Sequence, residues 1–337
     1  MRTPRQIWTG IAAFTAMLVL ILDTKTAIAG AREGITLCLF TVIPSLFPFF
    51  VLSGLINSCF VGKPIPALRP LGRLCGVPNG AESLLLLGLI GGYPIGAQGV
   101  YQAYKNEQLR KADAARMLGF CNNAGPAFIF GMASALFAVP TAPLALFLIH
   151  GMSAILTGML LPKKASATCQ IVPAQALTVP QALERGVRTM GNVCGWVVLF
   201  RVILTFSQRW FLWLLPPEAQ TLLSGILELS NGCIALQVIP LQGTRFLLCT
   251  CFLSLGGLCV ATQTASVVKD LGMGMYFPGK LLQTAISFLL AAPLQYVLFP
   301  RDQVLAVSPL LLCGALSLCC LVHIVLQGRK KVVAIPC

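Results

Sequence analysis

Charge is scarce in this chain, and negative charge scarcest of all. Charged residues are 10% of 337 positions, with 10 Asp and Glu against 24 Lys and Arg. An ordinary soluble domain carries roughly 25%, so a large solvated surface is excluded. No stretch is polar enough to fold as a soluble domain, and the longest polar linker, Pro162 to Pro180, is too short for one. There is no phosphate-cradling Gly-Lys-Ser/Thr run, which excludes P-loop ATP hydrolysis. Nucleophile elbows and His/Cys/Asp clusters are also missing, so no enzyme, cofactor or metal is expected. The two histidines, His150 and His323, stand singly within apolar spans and read as packing residues. Of the 14 cysteines most lie in apolar runs, where Cys behaves as a small hydrophobe. Cys249-Thr250-Cys251 and Cys319-Cys320 lack the neighbours of a metal site and form no disulfide framework.

What is abundant is apolar sequence: 57% of residues are hydrophobic. Most of the chain lies in runs long enough to cross about 30 Å of hydrocarbon as α-helix. The net charge of +14 could suit nucleic acid, yet Lys and Arg gather in short loops between those runs. That is the signature of cytoplasmic loops in a membrane protein, and no nucleic-acid partner is expected. The fold class expected is an all-α polytopic membrane protein, a single domain over 1–337 whose first partner is the lipid bilayer. Arg2 and Arg5 precede the first run, Ile7 to Leu22, and Ala27-Ile28-Ala29 resembles a signal-peptidase site. An uncleaved first helix is the expectation, given the many spans that follow.

Four apolar segments are interrupted, two in each half. Leu84 to Ala103 is broken at Gly91-Gly92-Tyr93-Pro94, and Met117 to Phe137 at Cys121-Asn122-Asn123-Ala124-Gly125-Pro126. Leu222 to Ile239 is broken around Glu228-Leu229-Ser230-Asn231-Gly232, and Phe246 to Val268 around Ser254-Leu255-Gly256-Gly257. A helix cannot stop inside lipid unless its freed backbone groups find other partners. Interrupted segments at matching places in two halves point to the binding site of a transporter.

Full crossings are predicted at 7–27, 33–58, 114–137, 141–161, 183–207, 246–268, 280–299 and 305–327. If 82–104 and 219–242 are re-entrant hairpins, 18 Lys/Arg fall inside and five outside, Arg201 lying within a span. If both cross fully, the split is 11 to 12 and the bias vanishes, so the hairpin arrangement is expected. It makes residues 28–161 and 181–300 inverted repeats, followed by a last helix at 305–327. Both termini are then cytoplasmic, and the basic loop Lys105 to Arg116 lies at the headgroups, which carry negative potential.

Broken helices expose N–H groups at one end and C=O groups at the other, which suits a solute with carbonyl, carboxylate or hydroxyl groups. Asn122 and Asn123 either cap the half-helix opening at Pro126 or touch solute. Ser230 and Asn231 share that ambiguity, and Thr262, Gln263 and Thr264 lie deep enough to need polar partners. Arg201 and Glu228 are intramembrane charges and functional candidates. They pair with each other, or Arg201 snorkels outward, or Arg201 holds a carboxylate while Glu228 binds a coupling ion, H+ or Na+. A homo-oligomer is compatible with all of this.

Pro44-Ser45-Leu46-Phe47-Pro48-Phe49-Phe50, Gly92-Tyr93-Pro94-Ile95-Gly96-Ala97 and Gly119-Phe120-Cys121-Asn122-Asn123-Ala124-Gly125-Pro126 together resemble the sporulation integral membrane protein YlbJ group. That group lies within the nucleoside-recognition, or Gate, domain family. The resemblance spans roughly residues 28 to 300 and is thinner in the second half, at Asn231-Gly232 and Gly256-Gly257-Leu258. It implies a fold similar to concentrative nucleoside transporters, with paired re-entrant hairpins and broken helices around a midplane site. It also implies a bacterial cell membrane or outer forespore membrane location, and export of dipicolinate from the mother cell. The alternative is a non-transporting component of spore-envelope assembly. Carried over by position, Gly92, Tyr93, Pro94, Asn122 and Asn123 form the site. Gly91, Arg201, Glu228, Ser230, Asn231 and Gln263 join them from the residue-level reading.

Overall fold

The computed structural model describes residues 4–60, 63–163, 176–300, 314–322 and 325. Among them every regular element is helical. Helix α1 (Pro4–Leu22) ends at Asp23, whose side chain accepts from the Thr26 N–H at 3.3 Å and so caps α2 (Thr24–Leu37). A π-helical turn, Cys38–Val42, leads α2 directly into α3 (Ile43–Phe60). The widened turn lies just before Pro44, where a proline ring presses on the carbonyl four residues earlier. Then come α4 (Arg69–Cys75), α5 (Glu82–Ile90), α6 (Ile95–Lys105), α7 (Lys111–Met117), α8 (Pro126–Leu136) and α9 (Ala142–Leu160). The second half holds α10 (Val179–Trp210), α11 (Pro217–Leu227), α12 (Leu229–Ala235), α13 (Gln242–Leu255), α14 (Gly257–Val268) and α15 (Tyr276–Leu298).

Five runs among the described residues are long and apolar enough to cross a membrane: Thr24–Phe60, Ala142–Leu160, Val179–Trp210, Gln242–Leu271 and Tyr276–Leu298. The protein is a polytopic membrane protein. All four predicted interruptions are present as helix breaks, at Gly91–Pro94, 118–125, Glu228 and Gly256. Several boundaries differ from expectation. The second run starts at Thr24 rather than 33, because Asp23 supplies a cap where hydropathy alone continues the first run. Helix α10 is 32 residues long, exceeding 183–207 at both ends, because Pro180 fits a first helical turn and Thr178 with Gln181 forms a capping box. The helix predicted at 305–327 lies largely outside the described residues, as does His323; residues 314–322 are helical.

Two predicted surface charges are interior. Arg116, expected at the headgroups, is buried. It donates to the Pro162 carbonyl at 3.0 Å, to the Gly76 carbonyl at 3.3 Å and to that of Gly158, closing the C-terminal end of α9. Lys280, counted as a loop charge, lies in the second turn of α15 and is 1% exposed.

Small residues set the close approaches. Helices α2 and α10 pack through Gly30 and Gly34, where an added Cβ would stand 3.0 Å from Val202 Cα and 2.9 Å from Val198 Cα. Helices α5 and α6 close on the backbone of Cys121: a Cβ on Gly88 would lie 2.3 Å, and one on Gly96 1.6 Å, from its carbonyl oxygen. Gly96→Ala is therefore expected to cost roughly 3 kcal/mol or more, the upper range for overpacking a core. Gly151→Ala, with nothing within 4 Å of the new methyl, is expected to be neutral or stabilising by about 0.5 kcal/mol. Thermal unfolding of the two variants in detergent measures the contrast.

Candidate functional site

The first-half breaks satisfy one another. Helix α5 ends and α6 begins around Gly91–Pro94, with Gly92 at φ +82, leaving carbonyls of α5 and N–H groups of α6 without intrahelical partners. Asn123 Nδ2 donates to the Gly88 carbonyl at 3.0 Å and to that of Phe120 at 2.7 Å. Asn122 Oδ1 accepts from the Ala97 N–H at 3.3 Å, while its Nδ2 donates to Thr264 Oγ1 at 2.9 Å. Neither asparagine caps α8, whose N-terminus receives no side-chain bond; both are spent on the α5–α6 break and on α14. His150 Nε2 accepts the Ala124 N–H at 3.0 Å, so this histidine is satisfied at the break itself.

The second-half break is closed by an acid. Glu228, fully buried between α11 and α12, accepts from the Ser230 N–H at 3.1 Å, the Asn231 N–H at 2.7 Å and Asn231 Nδ2 at 2.8 Å. A carboxylate at a helix N-terminus answers both the free N–H groups and the dipole. Asn231 Oδ1 in turn accepts from Arg201 Nη1 at 2.8 Å, and Arg201 pairs with Glu33, Nε donating at 2.8 Å. Arg201 thus neither pairs directly with Glu228 nor snorkels alone. The line Glu33–Arg201–Asn231–Glu228 ties α2 and α10 to the α12 cap.

The two halves meet at Tyr93. Its hydroxyl donates to the Leu253 carbonyl at 2.9 Å, in the last turn of α13 before the Gly256 break, where Gly256 has φ +76. Behind Tyr93 lies Lys280, its ammonium nitrogen 5.2 Å from the ring centroid. Lys280 Nζ donates to Gln283 Oε1 at 2.8 Å, Asn123 Oδ1 at 3.3 Å and Tyr93 Oη at 3.4 Å. Gln283 Nε2 also donates to Asn123 Oδ1 at 2.9 Å. Among the described residues no carboxylate lies within 4 Å of Lys280. Away from this centre, Tyr101 donates to Asp270 at 2.7 Å, joining the end of α6 to the end of α14.

Three cavities queue along α2–α3 and α10. One of about 510 Å³ touches Asn57, Gln98, Gln102, Gln181 and Arg185. A second of about 40 Å³ lies between Val42 and Leu46 on one side and Val193 and Val197 on the other. Tyr93, Gly125, Glu228, Ser230 and Gln263 complete its wall. The third, of about 610 Å³, touches Glu33, Thr36, Arg201, Ser224 and Asn231. Along α10 they meet residues 181–189, 193–197 and 201–208 in turn, so the outer two lie about 18 Å or more apart at 1.5 Å per residue. The central cavity holds a few water molecules at most, and breaks from both halves share its wall.

Of the predicted site residues, Tyr93, Glu228, Ser230 and Gln263 line the central cavity. Gly91, Gly92, Pro94, Asn122 and Asn123 stand one layer behind it, as the break and its bonding partners. Arg201 and Asn231 line the third cavity instead. Sequence reasoning missed Lys280 and Gln283. The signal was there: α15 starts one turn before the predicted 280–299 run, which puts Lys280 inside the helix rather than at its end, and Lys280 and Gln283 share a face at i, i+3. Asn123→Ala removes the partner of the Gly88 carbonyl and of Gln283 and Lys280, so a loss of roughly 3 kcal/mol or more is expected. Asn192→Ala, which removes only an exposed bond to Ser266 of 3.1 Å, is expected to stay within about 0.5 kcal/mol. Detergent-solubilised thermal unfolding tests both.

No protein-family model matches the chain, and no solved structure does. Over 128 residues it is 32% identical to the sporulation integral membrane protein YlbJ of Bacillus subtilis (strain 168). That match covers 36% of this chain and 31% of the relative, so it spans about a third of each. With its apolar helical runs, the chain is an integral membrane protein related to a sporulation integral membrane protein.

Proposed function

We propose that the protein is a secondary carrier of a small anionic or nucleoside-like solute. The observation that carries this reading is the queue of two large cavities separated by a small central one, walled by helix breaks from both halves. A carrier needs such an arrangement: two approaches, one binding position between them, and a barrier that moves. The central cavity of about 40 Å³ is far below the roughly 300 Å³ of a small-molecule site. Binding therefore requires the halves to part, as when one repeat rocks against the other.

In this reading α5–α6 and α11–α12 are re-entrant hairpins of inverted repeats, entering from opposite faces. The amide-lined cavity opens to the cytoplasm and the Arg201 cavity to the other side. The relative's name places it in sporulation, and by that analogy dipicolinate leaving the mother cell is the first solute to test.

Purified protein in liposomes is expected to give saturable uptake of dipicolinate, a related anion or a nucleoside. Absence of saturable flux for all of them, under any ion gradient, removes the carrier. Gly92→Leu and Asn123→Ala are expected to reduce uptake at least tenfold, whereas neutralising the exposed Lys105 and Lys111 leaves it within about twofold; tenfold is only 1.4 kcal/mol. The reverse pattern assigns the chain to envelope assembly without transport.

Orientation has its own test. In a background lacking exposed cysteines, Glu107→Cys is expected to resist an impermeant maleimide on intact cells, while Glu218→Cys reacts. Labelling of position 107 from outside refutes the hairpin topology.

A further inference from the structure

Resting on the carrier reading, we propose that Lys280 is its proton-binding group. Its amine stays neutral while the central cavity is empty and takes up a proton when a solute carboxylate occupies that cavity, so anion and proton cross together.

The argument starts from what surrounds the nitrogen. Three oxygens point at Lys280 Nζ, from Gln283, Asn123 and Tyr93, and the Tyr93 proton is already directed to the Leu253 carbonyl. All three therefore act as acceptors. An ammonium would serve every one, whereas the neutral amine, with two donors, keeps Gln283 at 2.8 Å and leaves one of the longer contacts, 3.3 Å to Asn123 or 3.4 Å to Tyr93, unmade. What Lys280 lacks is a directly paired anion among the described residues, Glu228 being held by the α12 cap, and an ammonium buried without a counter-ion is strongly disfavoured. Hydrogen bonding favours the protonated form and desolvation opposes it, so a nearby anion decides. The central cavity is where that anion arrives: Tyr93, Ala124 and Gly125 form its wall, Tyr93 and Asn123 bond Lys280, and in this low-dielectric interior the attraction is weakly screened.

Other ionisable neighbours leave that role open. Cys121, in the turn before α8, and His150 of α9 are within electrostatic reach of Lys280. His150 already accepts the Ala124 N–H on Nε2. Tyr93 comes from the α5–α6 break and Tyr276 stands one turn earlier on α15. From α13 come the Leu253 carbonyl and Ser254, neither of which titrates. Glu228, on the opposite wall, is committed to three donors as the α12 cap. The step itself is simple: a proton from water in one outer cavity binds the amine lone pair. As the solute leaves, the proton returns to water on the other side, with no other bond made or broken.

The test uses the full chain in liposomes with dipicolinate, benzoate and uridine as probes. An inward gradient of about one pH unit is expected to drive roughly tenfold accumulation of a carried anion per proton moved, and an internal pH dye is expected to report protons entering with it. Lys280→Arg, which cannot release its proton, and Lys280→Gln, which cannot take one up, are both expected to lose gradient-driven accumulation. Saturable anion uptake by the wild-type protein that is indifferent to pH and unaccompanied by protons overturns the proposal and leaves the carrier standing. So does Lys280→Arg accumulating anion with protons, or uridine alone being carried. No saturable flux of any probe overturns both. The wild-type proton measurement decides the matter even if the variants fail to fold.

Discussion

An opened helix inside an apolar interior must find partners for its backbone, and the architecture follows from how this chain meets that demand. Each freed group costs on the order of a kcal/mol or more if left bare. Most partners are side chains brought from another break, and Glu228 closes its own. Asn122 and Asn123 serve the α5–α6 break, Tyr93 serves the end of α13, and Glu228 serves α12. The Asn122, Asn123 and Tyr93 bonds thereby link the α5–α6 break to the 118–125 turn and to the end of α13. Glycine backbones let them approach: Gly88 and Gly96 enclose Cys121, and Gly232 lies against Gly225.

The same economy governs charge. Arg116 closes the end of α9, Glu228 opens α12, and Arg201 shares Glu33 with the network that reaches that cap. Each of these buried or half-buried charges has a backbone or ionic partner, as a low-dielectric interior demands. Lys280 stands apart, held by neutral oxygens alone, and it adjoins the wall that both halves share. A structure that leaves this buried amine without an anion concentrates its electrostatic sensitivity at one point.

The cavities give these contacts a direction. Two larger spaces approach from opposite ends of α10, and between them Tyr93, Glu228 and Gln263 face each other across a gap fit for water only. The barrier is made of break residues rather than continuous helix, so it is thin, polar in part and held by side-chain bonds that can exchange. Continuous helices α2–α3 and α10, packed through Gly30 and Gly34, form a rigid rail beside it.

The sequence by itself determined the membrane setting, the number and position of the breaks, and most residues at their tips, because hydropathy and the Gly, Pro and Asn interruptions are local signals. Charge counting placed Lys280 and Arg116 in loops, since a linear count sees how near a cation is to a run's end but not whether a neighbouring helix covers it. Which break serves which, that Asn123 reaches Gly88 rather than capping α8, and that Arg201 takes Glu33 before Asn231, were decided only in the tertiary structure. Those pairings join residues 25 to 168 positions apart, and a buried polar group takes whichever partner packing brings within hydrogen-bond reach.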